Sequence, residues 1–400
     1  MSDGDVHGDM VRDLGRLQEL RRELHSIPEV GLELPSTQSV VSRELDALGL
    51  DVRLGRRCSS VVAVIEGAEP GPTVLLRADM DALPISERSD EPFAATNGAM
   101  HACGHDLHMA GLLGAARFLV RRRETMAGRV ALVFQPGEEG YDGAQVMLDD
   151  GLFDHLGGHP VAAYAVHVGA GEPGTMWTRP GPLLASLTEL DVELRGSGGH
   201  GSTPHLADDP VAALVDVAAA LHAYVPRRLD PLMPTVVSIT QMNAGSAINV
   251  IPDVARLGGT VRTLTGSLDS LRDGLVETVR LAAAAHGVAA ATTLVERYPV
   301  TVNDPNETSR LVAAARTICG PDKVDAAHEP LMGSEDFSKI LQRVPGAMLF
   351  VATTPPDLDP ATAPGVHTPD VRFDDSVLAA QAAVLATAAL DRLHDSPQMR

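Results

Sequence analysis

Residues 101–108, with the sequence HACGHDLH, concentrate side chains that bind metal ions. They include three histidines, one cysteine and one aspartate. Cys and His are typical ligands of zinc and related divalent ions in catalytic sites. Gly104 allows a tight turn of the backbone, so that Cys103 and His105 can point toward one centre. The stretch therefore predicts a metal site on a loop, and residues 109–123 predict a helix that follows it.

A structural zinc site is the alternative explanation of this stretch. Structural sites usually draw on pairs of cysteines with CxxC spacing. The chain has three cysteines, at positions 58, 103 and 319, and only one of them lies in the stretch. The ligand types therefore favour a catalytic metal site over a structural one.

Two pairs of carboxylates follow predicted strands elsewhere in the chain. Asp79 and Asp81 are two residues apart on extended chain, so they point the same way. Functional sites in α/β proteins lie at the C-terminal ends of the strands, and a carboxylate there could orient a metal-bound histidine. An ordinary surface turn explains Asp79 and Asp81 equally well. Glu138 and Glu139 also follow a strand, where one could bind metal while the other takes a proton from water. Most isolated Glu pairs are simply solvated.

Three further histidines stand alone. His167 ends an apolar strand and His367 lies in a loop, and each position by itself is more typical of a core or loop residue than of a ligand. His200 lies between glycines in residues 196–205, on a pliant loop from which an imidazole could donate to a developing oxyanion. Such a loop could instead hold phosphate, but it lacks the Lys-Ser/Thr of a Walker motif.

The elements that must position these residues indicate two domains. Strands alternate with helices in residues 1–183 and 297–400, which predicts an α/β, metal-binding catalytic domain with a largely parallel core sheet. Residues 184–296 follow the order β-α-β-β-α-β of a ferredoxin-like unit. The sequence therefore predicts a small α+β domain inserted into the catalytic domain.

Composition excludes several classes of partner. The formal net charge is -21, which argues against nucleic acid or an anionic membrane as partner, because both are polyanions. The three cysteines are widely spaced, which is typical of a reducing compartment. The acidic N-terminal segment has no apolar run, so the sequence predicts no signal peptide. The sequence also contains no stretch of about 18 apolar residues, so it predicts no membrane-spanning helix. We therefore expect a cytoplasmic location.

The motifs together resemble the two-metal aminoacylase and carboxypeptidase superfamily. Within it, the sequence is most similar to the amidohydrolases that include hippurate hydrolases, N-acyl-amino-acid deacylases and indoleacetyl-amino-acid hydrolases. The most specific motifs are RADMDALP at 77–84, HACGHDLHMAGLLGAA at 101–116, QPGEEG at 135–140, GGHGSTPH at 198–205, NVIPD at 249–253 and GSEDF at 333–337. The resemblance runs from LHSIPE at 24–29 to FDD at 373–375.

This resemblance implies a fold and an activity. The fold would be a zinc-exopeptidase-like three-layer catalytic domain with an inserted ferredoxin-like domain that serves as lid and dimerisation domain. The activity would be cleavage of the amide bond of N-acyl amino acids to a carboxylic acid and a free amino acid. A dipeptidase or carboxypeptidase on the same scaffold is the alternative. A non-catalytic relative that binds a ligand is disfavoured, because every residue of the site is retained.

The resemblance also implies which residues act. Two divalent ions, zinc or manganese before cobalt or nickel, would be held by Cys103, His105, Glu139, His167 and His367. Cys103 would bridge the ions. Glu138 would be the general base that activates water and then protonates the leaving amine. Asp81 would orient a metal-ligand histidine, and His200, contributed by a neighbouring subunit, would stabilise the oxyanion.

The remaining implied residues concern the substrate and the assembly. Asn249 and Arg262 would hold the free carboxylate of the substrate, an anion that suits a guanidinium fork. Ser334 and Glu335 would lie near the site. The resemblance further implies a homodimer or a tetramer built from dimers.

Overall fold

The structure is a computed structural model that describes residues 6–265 and 269–395. The chain divides into two compact units. The first unit takes its residues from Met1–Gly181, Val302–Glu329 and Asp336–Arg400, and the second from Pro182–Thr301 and Pro330–Glu335. Besides an inserted segment, the second unit thus includes a short stretch, residues 330–335, from the part of the chain that follows the insertion.

The helices and strands of the described residues are as follows. The α-helices are α1 (Val6–His25), α2 (Pro35–Ala47), α3 (His105–Arg122), α4 (Gly143–Asp149), α5 (Pro210–Arg228), α6 (Asp269–Ala284), α7 (Pro305–Cys319), α8 (Ser338–Leu341) and α9 (Leu378–His394). The strands are β1 (Val52–Leu54), β2 (Val61–Glu66), β3 (Glu69–Asp79), β4 (Ala127–Gln135), β5 (Ala162–Gly169), β6 (Met176–Trp177), β7 (Gly181–Leu184), β8 (Leu187–Arg195), β9 (Gly199–His200), β10 (Thr235–Ala244), β11 (Val250–Ile251), β12 (Val254–Thr263), β13 (Ala289–Tyr298), β14 (Thr301–Asn303), β15 (Val324–Asp325) and β16 (Gly346–Ala352). Short 3-10 helices cover Arg123–Thr125, Leu152–His155, Pro204–Leu206, Pro321–Lys323 and Asp375–Val377.

The first unit is built on one mixed sheet with the strand order β1-β2-β4-β3-β5-β16-β6-β15. Its central strands β4, β3, β5 and β16 are parallel. Antiparallel pairs lie toward the edges, where β2 joins β4 and β6 joins β16. The carboxyl ends of the parallel strands share one edge of the sheet, which is where α/β proteins place their sites. The predicted fold class is confirmed, with antiparallel strands added at both sides of the parallel core.

Helix α3 is held rigidly because it is buried along most of its length. Two glycines allow its close approach to neighbouring helices. A Cβ at Gly111 would lie 2.5 Å from the Gln381 side chain, and a Cβ at Gly114 would lie 2.9 Å from Ala382 of α9 and from Leu17 of α1. The loop before α3 is therefore mounted on a fixed helix.

Helix α9 packs against three other helices of the first unit, α1, α3 and α7. Among the described helices, the segment Asp375–His394 alone has the length and composition that could cross a membrane, but 67% of its most apolar window is buried inside the protein. Its apolar surface is thus used in the core.

The second unit has a four-stranded antiparallel sheet with the order β10-β12-β8-β13. Helices α5 and α6 follow β8 and β12, so the predicted β-α-β-β-α-β order is present. Leu190, Val192 and Leu194 of β8 alternate toward the core and are buried. Strand β10 forms one edge of this sheet.

Candidate metal centre

Candidate ligand atoms from four separate segments converge at the carboxyl edge of the first unit's sheet. The sulfur of Cys103 lies 3.7 Å from Nε2 of His167. Ligand atoms of Cys103, Glu139 and His367 all lie within 4.8 Å of one another, and so do those of His105, Glu138 and Glu139. The structure thus places all five predicted metal ligands, and the predicted base Glu138, in one cluster of overlapping groups.

The turn between Cys103 and His105 depends on glycine. Gly104 has a φ of 79°, in the left-handed region, and a Cβ there would lie only 2.4 Å from Cγ2 of Val168. A larger residue would therefore strain the backbone and collide with the end of β5. Gly104 also precedes the first residue of α3, so the turn directs both candidate ligands from the start of that helix.

His367 reaches the cluster in an unusual backbone conformation. Its φ is 66°, which is uncommon for a residue other than glycine. Its backbone N–H donates to the carbonyl of Ala102 at 3.0 Å, and its Nε2 lies 3.0 Å from Oε1 of Glu139. Strained residues of this kind cluster at functional sites. The conformation brings a histidine from a distant loop against the 101–108 stretch.

Asp81 connects two parts of the cluster. Its carbonyl oxygen accepts a hydrogen bond from Nδ1 of His105 at 2.8 Å. Its carboxylate accepts the backbone N–H groups of Glu138 and Glu139, each at 3.0 Å. The resemblance implied that Asp81 orients a ligand histidine, and in the structure this short contact comes from the main chain, because the carboxylate holds the Glu138–Glu139 loop.

Because Nδ1 of His105 donates to Asp81, Nε2 is the nitrogen whose lone pair a metal ion can use once the ring is neutral. This Nε2 is buried and has no hydrogen-bond partner among the described residues. The carboxylate of Asp79 lies 3.6 Å away. A buried, unbonded ring nitrogen is costly unless something binds it, so this atom is available to a metal ion.

His108 is not available in the same way. Its Nδ1 donates to the carboxylate of Asp79 at 2.5 Å, and its Nε2 accepts the backbone N–H of Val168 at 2.9 Å. Both ring nitrogens are therefore used inside the protein. Burial lowers the pKa of His108 more than Asp79 raises it, which keeps the ring neutral. The third histidine of the stretch thus supports the site.

A buried polar network lies behind these residues. Arg77 binds Asp79 at 2.7 Å, Asp336 at 3.0 Å and Gln135 at 3.0 Å. Asp336 also accepts the backbone N–H of Ala144 at 2.9 Å. These contacts fix both ends of the segment that carries Glu138 and Glu139. The sequence motifs predicted no role for Arg77 or Asp336, although a charged residue within an apolar strand was a usable signal for the former.

The electrostatics of the cluster favour a cation. Burial alone would raise the pKa of Cys103, but the neighbouring His167 and hydrogen bonds from imidazoles lower it to about 6. Hydrogen bonds with Cys103 and Glu139 raise the pKa of His367 to about 10. Burial lowers the pKa of His105, but Asp79 and hydrogen bonds with Asp81 and Cys103 raise it well above its usual value. At neutral pH a thiolate and carboxylates therefore lie among imidazoles, and those of His105 and His367 are protonated. A divalent metal fits this donor set, because it would bind the anions and replace the protons of the two imidazoles.

The other predicted residues belong to the second unit. His200 on β9 pairs with Val250 on β11, and Gly201 donates to the carbonyl of Asn249 at 2.9 Å, so His200 and Asn249 are close neighbours. Nδ1 of His200 accepts the backbone N–H of Ser202 at 3.1 Å. The neutral ring therefore carries its proton on the exposed Nε2 side.

Arg262 and Ser334 form a second group within this unit. Nη1 of Arg262 donates to the carbonyl of Met332 at 3.0 Å and to Oγ of Ser334 at 3.4 Å. No carboxylate of the described residues forms an ion pair with Arg262 within 4.0 Å, so its remaining N–H groups can serve an anion.

Comparison with known proteins gives a consistent result. The sequence profile of Peptidase family M20/M25/M40 matches residues 75–391. Thermostable carboxypeptidase 2 of Saccharolobus solfataricus is 37% identical over 344 residues, which cover 84% of this chain and 85% of that protein. IAA-amino acid hydrolase ILR1-like 2 of Arabidopsis thaliana is 36% identical over 384 residues, which cover 94% of this chain and 85% of that protein.

Solved structures share the fold over nearly the whole chain. The YXEP protein of Bacillus subtilis, described as a dinuclear metal binding peptidase from the M20 family, superposes with a TM-score of 0.82. It is 29% identical, and the match covers 96% of this chain and 99% of that chain.

Proposed function

The chain belongs to Peptidase family M20/M25/M40, and we propose that it is a two-metal amidohydrolase that cleaves N-acyl amino acids to a carboxylic acid and a free amino acid. That it is a metal-dependent amidohydrolase follows from its family. The observation that carries the finer proposal is the cluster in which Cys103, Glu139 and His367 offer ligand atoms within 4.8 Å of one another. Its relatives include proteins named for hydrolysis of acylated amino acids.

The proposed ligands are Cys103, His105, Glu139, His167 and His367. Cys103 is suited to be shared between two ions, because its sulfur lies 3.7 Å from His167 and also belongs to the group with Glu139 and His367. Bound divalent ions would lower the pKa of water to about 7 and polarise the amide carbonyl. The ligand types suit zinc or manganese, and they also admit cobalt or nickel.

Glu138 is the proposed general base and acid. It is buried, and its ligand atom groups with those of His105 and Glu139. Asp81 holds its backbone N–H at 3.0 Å, which restricts where its carboxylate can lie. In this role the carboxylate takes a proton from the attacking water and delivers it to the leaving amine nitrogen.

The second unit supplies the proposed substrate contacts. His200 can donate from Nε2 to the oxyanion, because its Nδ1 accepts from Ser202. Asn249 lies beside His200, and Arg262 with Ser334 provides donors for the free carboxylate of the substrate.

A homodimer, or a tetramer built from dimers, is proposed through the same unit. Strand β10 (TVVSITQMNA) is an edge strand with no charged residue. Val236 and Met242 of this strand are exposed. Long uncharged edge strands tend to pair with another chain, and a second copy would cover this one. Three free cysteines support a reducing, cytoplasmic location.

A dipeptidase or carboxypeptidase activity is the second candidate. It is supported by the similarity to a thermostable carboxypeptidase. A peptide with a free C-terminal residue offers the same amide and carboxylate as an N-acyl amino acid, so the residues of the site do not separate the two.

A substrate and metal panel tests the proposal. The chelated protein is loaded with zinc, manganese, cobalt or nickel and assayed on N-acetyl amino acids, N-benzoyl amino acids and dipeptides. We expect amino acid release from the acylated substrates with at least one metal and none after chelation. Faster turnover of dipeptides would favour the second candidate, and no release from any substrate would overturn both.

A further inference from the structure

His25, in the LHSIPE motif at the end of α1, takes no part in the proposed chemistry, yet it is buried between two carboxylates. Its Nδ1 lies 2.8 Å from Oδ2 of Asp106, and its Nε2 lies 3.0 Å from Oε1 of Glu87. The side chains of Asp106 and Glu87 are fully buried. A neutral imidazole has one donor nitrogen, whereas an imidazolium has two. Only the protonated ring satisfies both carboxylates.

The surroundings support this charge state. Burial lowers the pKa of His25, but Asp106 and Glu87 outweigh it and the pKa is raised. Arg21 adds a second cation, with Nε 2.6 Å from Oδ2 of Asp106. The rings of Phe93 and His25 pack in a T-shaped arrangement with their centroids 5.3 Å apart. Two buried cations, His25 and Arg21, thus face the carboxylates of Asp106 and Glu87, and Arg21 also lies 4.0 Å from the buried Asp375. Removal of one partner would leave an uncompensated charge.

Asp106, the first of the two carboxylates, lies in the segment that carries the candidate metal ligands Cys103 and His105. Asp106 follows His105 directly, in the first turn of α3, and lies three residues beyond Cys103. A contact that fixes Asp106 therefore fixes the turn from which both ligands project.

Glu87, the second carboxylate, lies in the segment of residues 84–97, which forms hydrogen bonds and an ion pair with the loop that carries His367. Oε2 of Glu87 accepts the backbone N–H of Ala95 at 2.7 Å. The backbone N–H of Arg88 donates to the carbonyl of Pro369 at 2.7 Å, and Nη2 of Arg88 lies 3.0 Å from Oδ2 of Asp370. Pro369 lies two residues beyond His367. A contact that fixes Glu87 therefore also supports the loop that carries the candidate metal ligand His367.

We propose that His25 is a positioning residue, whose imidazolium ties the Cys103–His105 turn to the segment that holds His367 and so sets the spacing of the metal ligands. The proposal rests on the proposed function for its metal site. It assigns to His25 no contact with substrate or with the reacting atoms. Its effect is on the metal-free protein, where it prearranges ligands that come from distant parts of the chain.

The test compares H25Q with the control R392M. Glutamine keeps a hydrogen-bond donor but removes the charge and cannot bridge both carboxylates. Arg392 is a mostly buried residue of α9 that pairs with Glu307 of α7 at 3.0 Å, so R392M removes a partly buried ion pair away from the ligand loops. Hydrogen exchange of peptides covering residues 101–106 and 365–370 is measured on the metal-free proteins, together with calorimetric affinity for cobalt(II).

We expect H25Q to exchange faster in both peptides and to bind cobalt ~10-fold or more weakly, while R392M matches the unmodified protein in both measurements. If H25Q does not fold, E87Q, which removes one carboxylate charge, is expected to speed exchange in the 365–370 peptide. Folded H25Q with unmodified exchange and cobalt affinity, or unfolded H25Q with unmodified exchange in E87Q, would overturn the proposal. Because exchange is read without substrate or metal, this failure is distinct from a failure of the unmodified protein to hydrolyse amides.

Discussion

The carbonyl oxygen of Asp81 accepts a hydrogen bond from Nδ1 of His105 at 2.8 Å. This contact fixes the tautomer that leaves Nε2 of His105 for a metal, and it leaves the Asp81 carboxylate to bind the backbone of Glu138 and Glu139. One residue thus positions a candidate ligand by its main chain and the candidate base by its side chain.

The substitution D81N separates these two roles. The main-chain contact to His105 remains, but the asparagine amide nitrogen cannot accept the second backbone N–H. We expect kcat to fall by ~10–100-fold, the usual effect of losing such support, with a smaller change in KM. Asp304 accepts two backbone N–H groups at the start of α7 through one oxygen, Oδ1, so D304N removes a carboxylate charge without removing an acceptor that is in use, and as a control it should leave kcat unchanged. Equal kcat in D81N and the unmodified enzyme would contradict this role.

The substitution G104A tests the tight turn. A Cβ would collide with Val168 in addition to the strain of the positive φ, which by itself costs about 1–3 kcal/mol. Gly49 has a φ of 74°, and a Cβ at this position would meet no atom within 4 Å, so G49A reports the strain alone. Urea unfolding of the metal-free proteins should give a larger loss of stability for G104A than for G49A. After both proteins are loaded with metal, only G104A should retain less metal than the unmodified protein. Equal losses of stability in the two variants would show that the contact with Val168 is unimportant.

Metal binding should release protons in a pH-dependent way. The pKa of Cys103 is lowered to about 6, so its contribution to the stability of the metal-free protein is present above its unfolded value and lost as pH falls through about 6. The pKa of His367 is raised to about 10, so its contribution is complete below its unfolded value and lost as pH rises through about 10. A metal ion competes with both protons.

At pH 7 we therefore expect cobalt binding to release protons from His367 and from His105, whose pKa is also raised. We expect affinity to fall as the pH is lowered, and to fall more steeply below about pH 6, where Cys103 also becomes protonated. Calorimetry in two buffers with different ionisation enthalpies measures the released protons. Binding without proton release at pH 7, or affinity that is constant from about pH 5 to pH 7, would show that these groups are not ligands.

The substitution R262Q tests the carboxylate site of the second unit. Hydrogen bonds to a charged group contribute about 1.5–3 kcal/mol, which corresponds to a rise in KM of ~10–100-fold, with a smaller effect on kcat. Arg256 lies on the same strand but pairs with Glu193 at 2.7 Å, so R256Q is the control. An unchanged KM in R262Q, or an equal rise in R256Q, would remove Arg262 from substrate binding.

Local patterns predicted some parts of this molecule and not others. The predicted family and α/β fold class are confirmed. Both could be predicted because the motifs and the alternation of strands and helices are visible within short stretches of sequence. Cys103 and His105 stand out through local density alone. His167 and His367 do not, since each is a lone histidine until the fold brings it to Cys103, and only the resemblance singled them out.

Other features depend on contacts that no local pattern encodes. His108 is equivalent to His105 by residue type, but Asp79 and Val168 occupy both of its nitrogens. Arg77 and Asp336 are far apart in the sequence and meet at 3.0 Å, so neither predicts the other. The antiparallel pairing of β2 with β4 likewise results from tertiary packing, because a short apolar strand does not reveal its direction.

The most direct test of the central claim is the E138Q variant, measured for metal content and for turnover of an N-acyl amino acid in the same preparation. Glutamine keeps the shape of Glu138 but cannot accept a proton from water, and proton transfer of this kind contributes about 10²–10⁴-fold. We predict two bound divalent ions per chain, unchanged from the unmodified enzyme, and a kcat reduced by at least ~100-fold. Hydrolysis at the unmodified rate with both ions in place would contradict the role of Glu138 as the base.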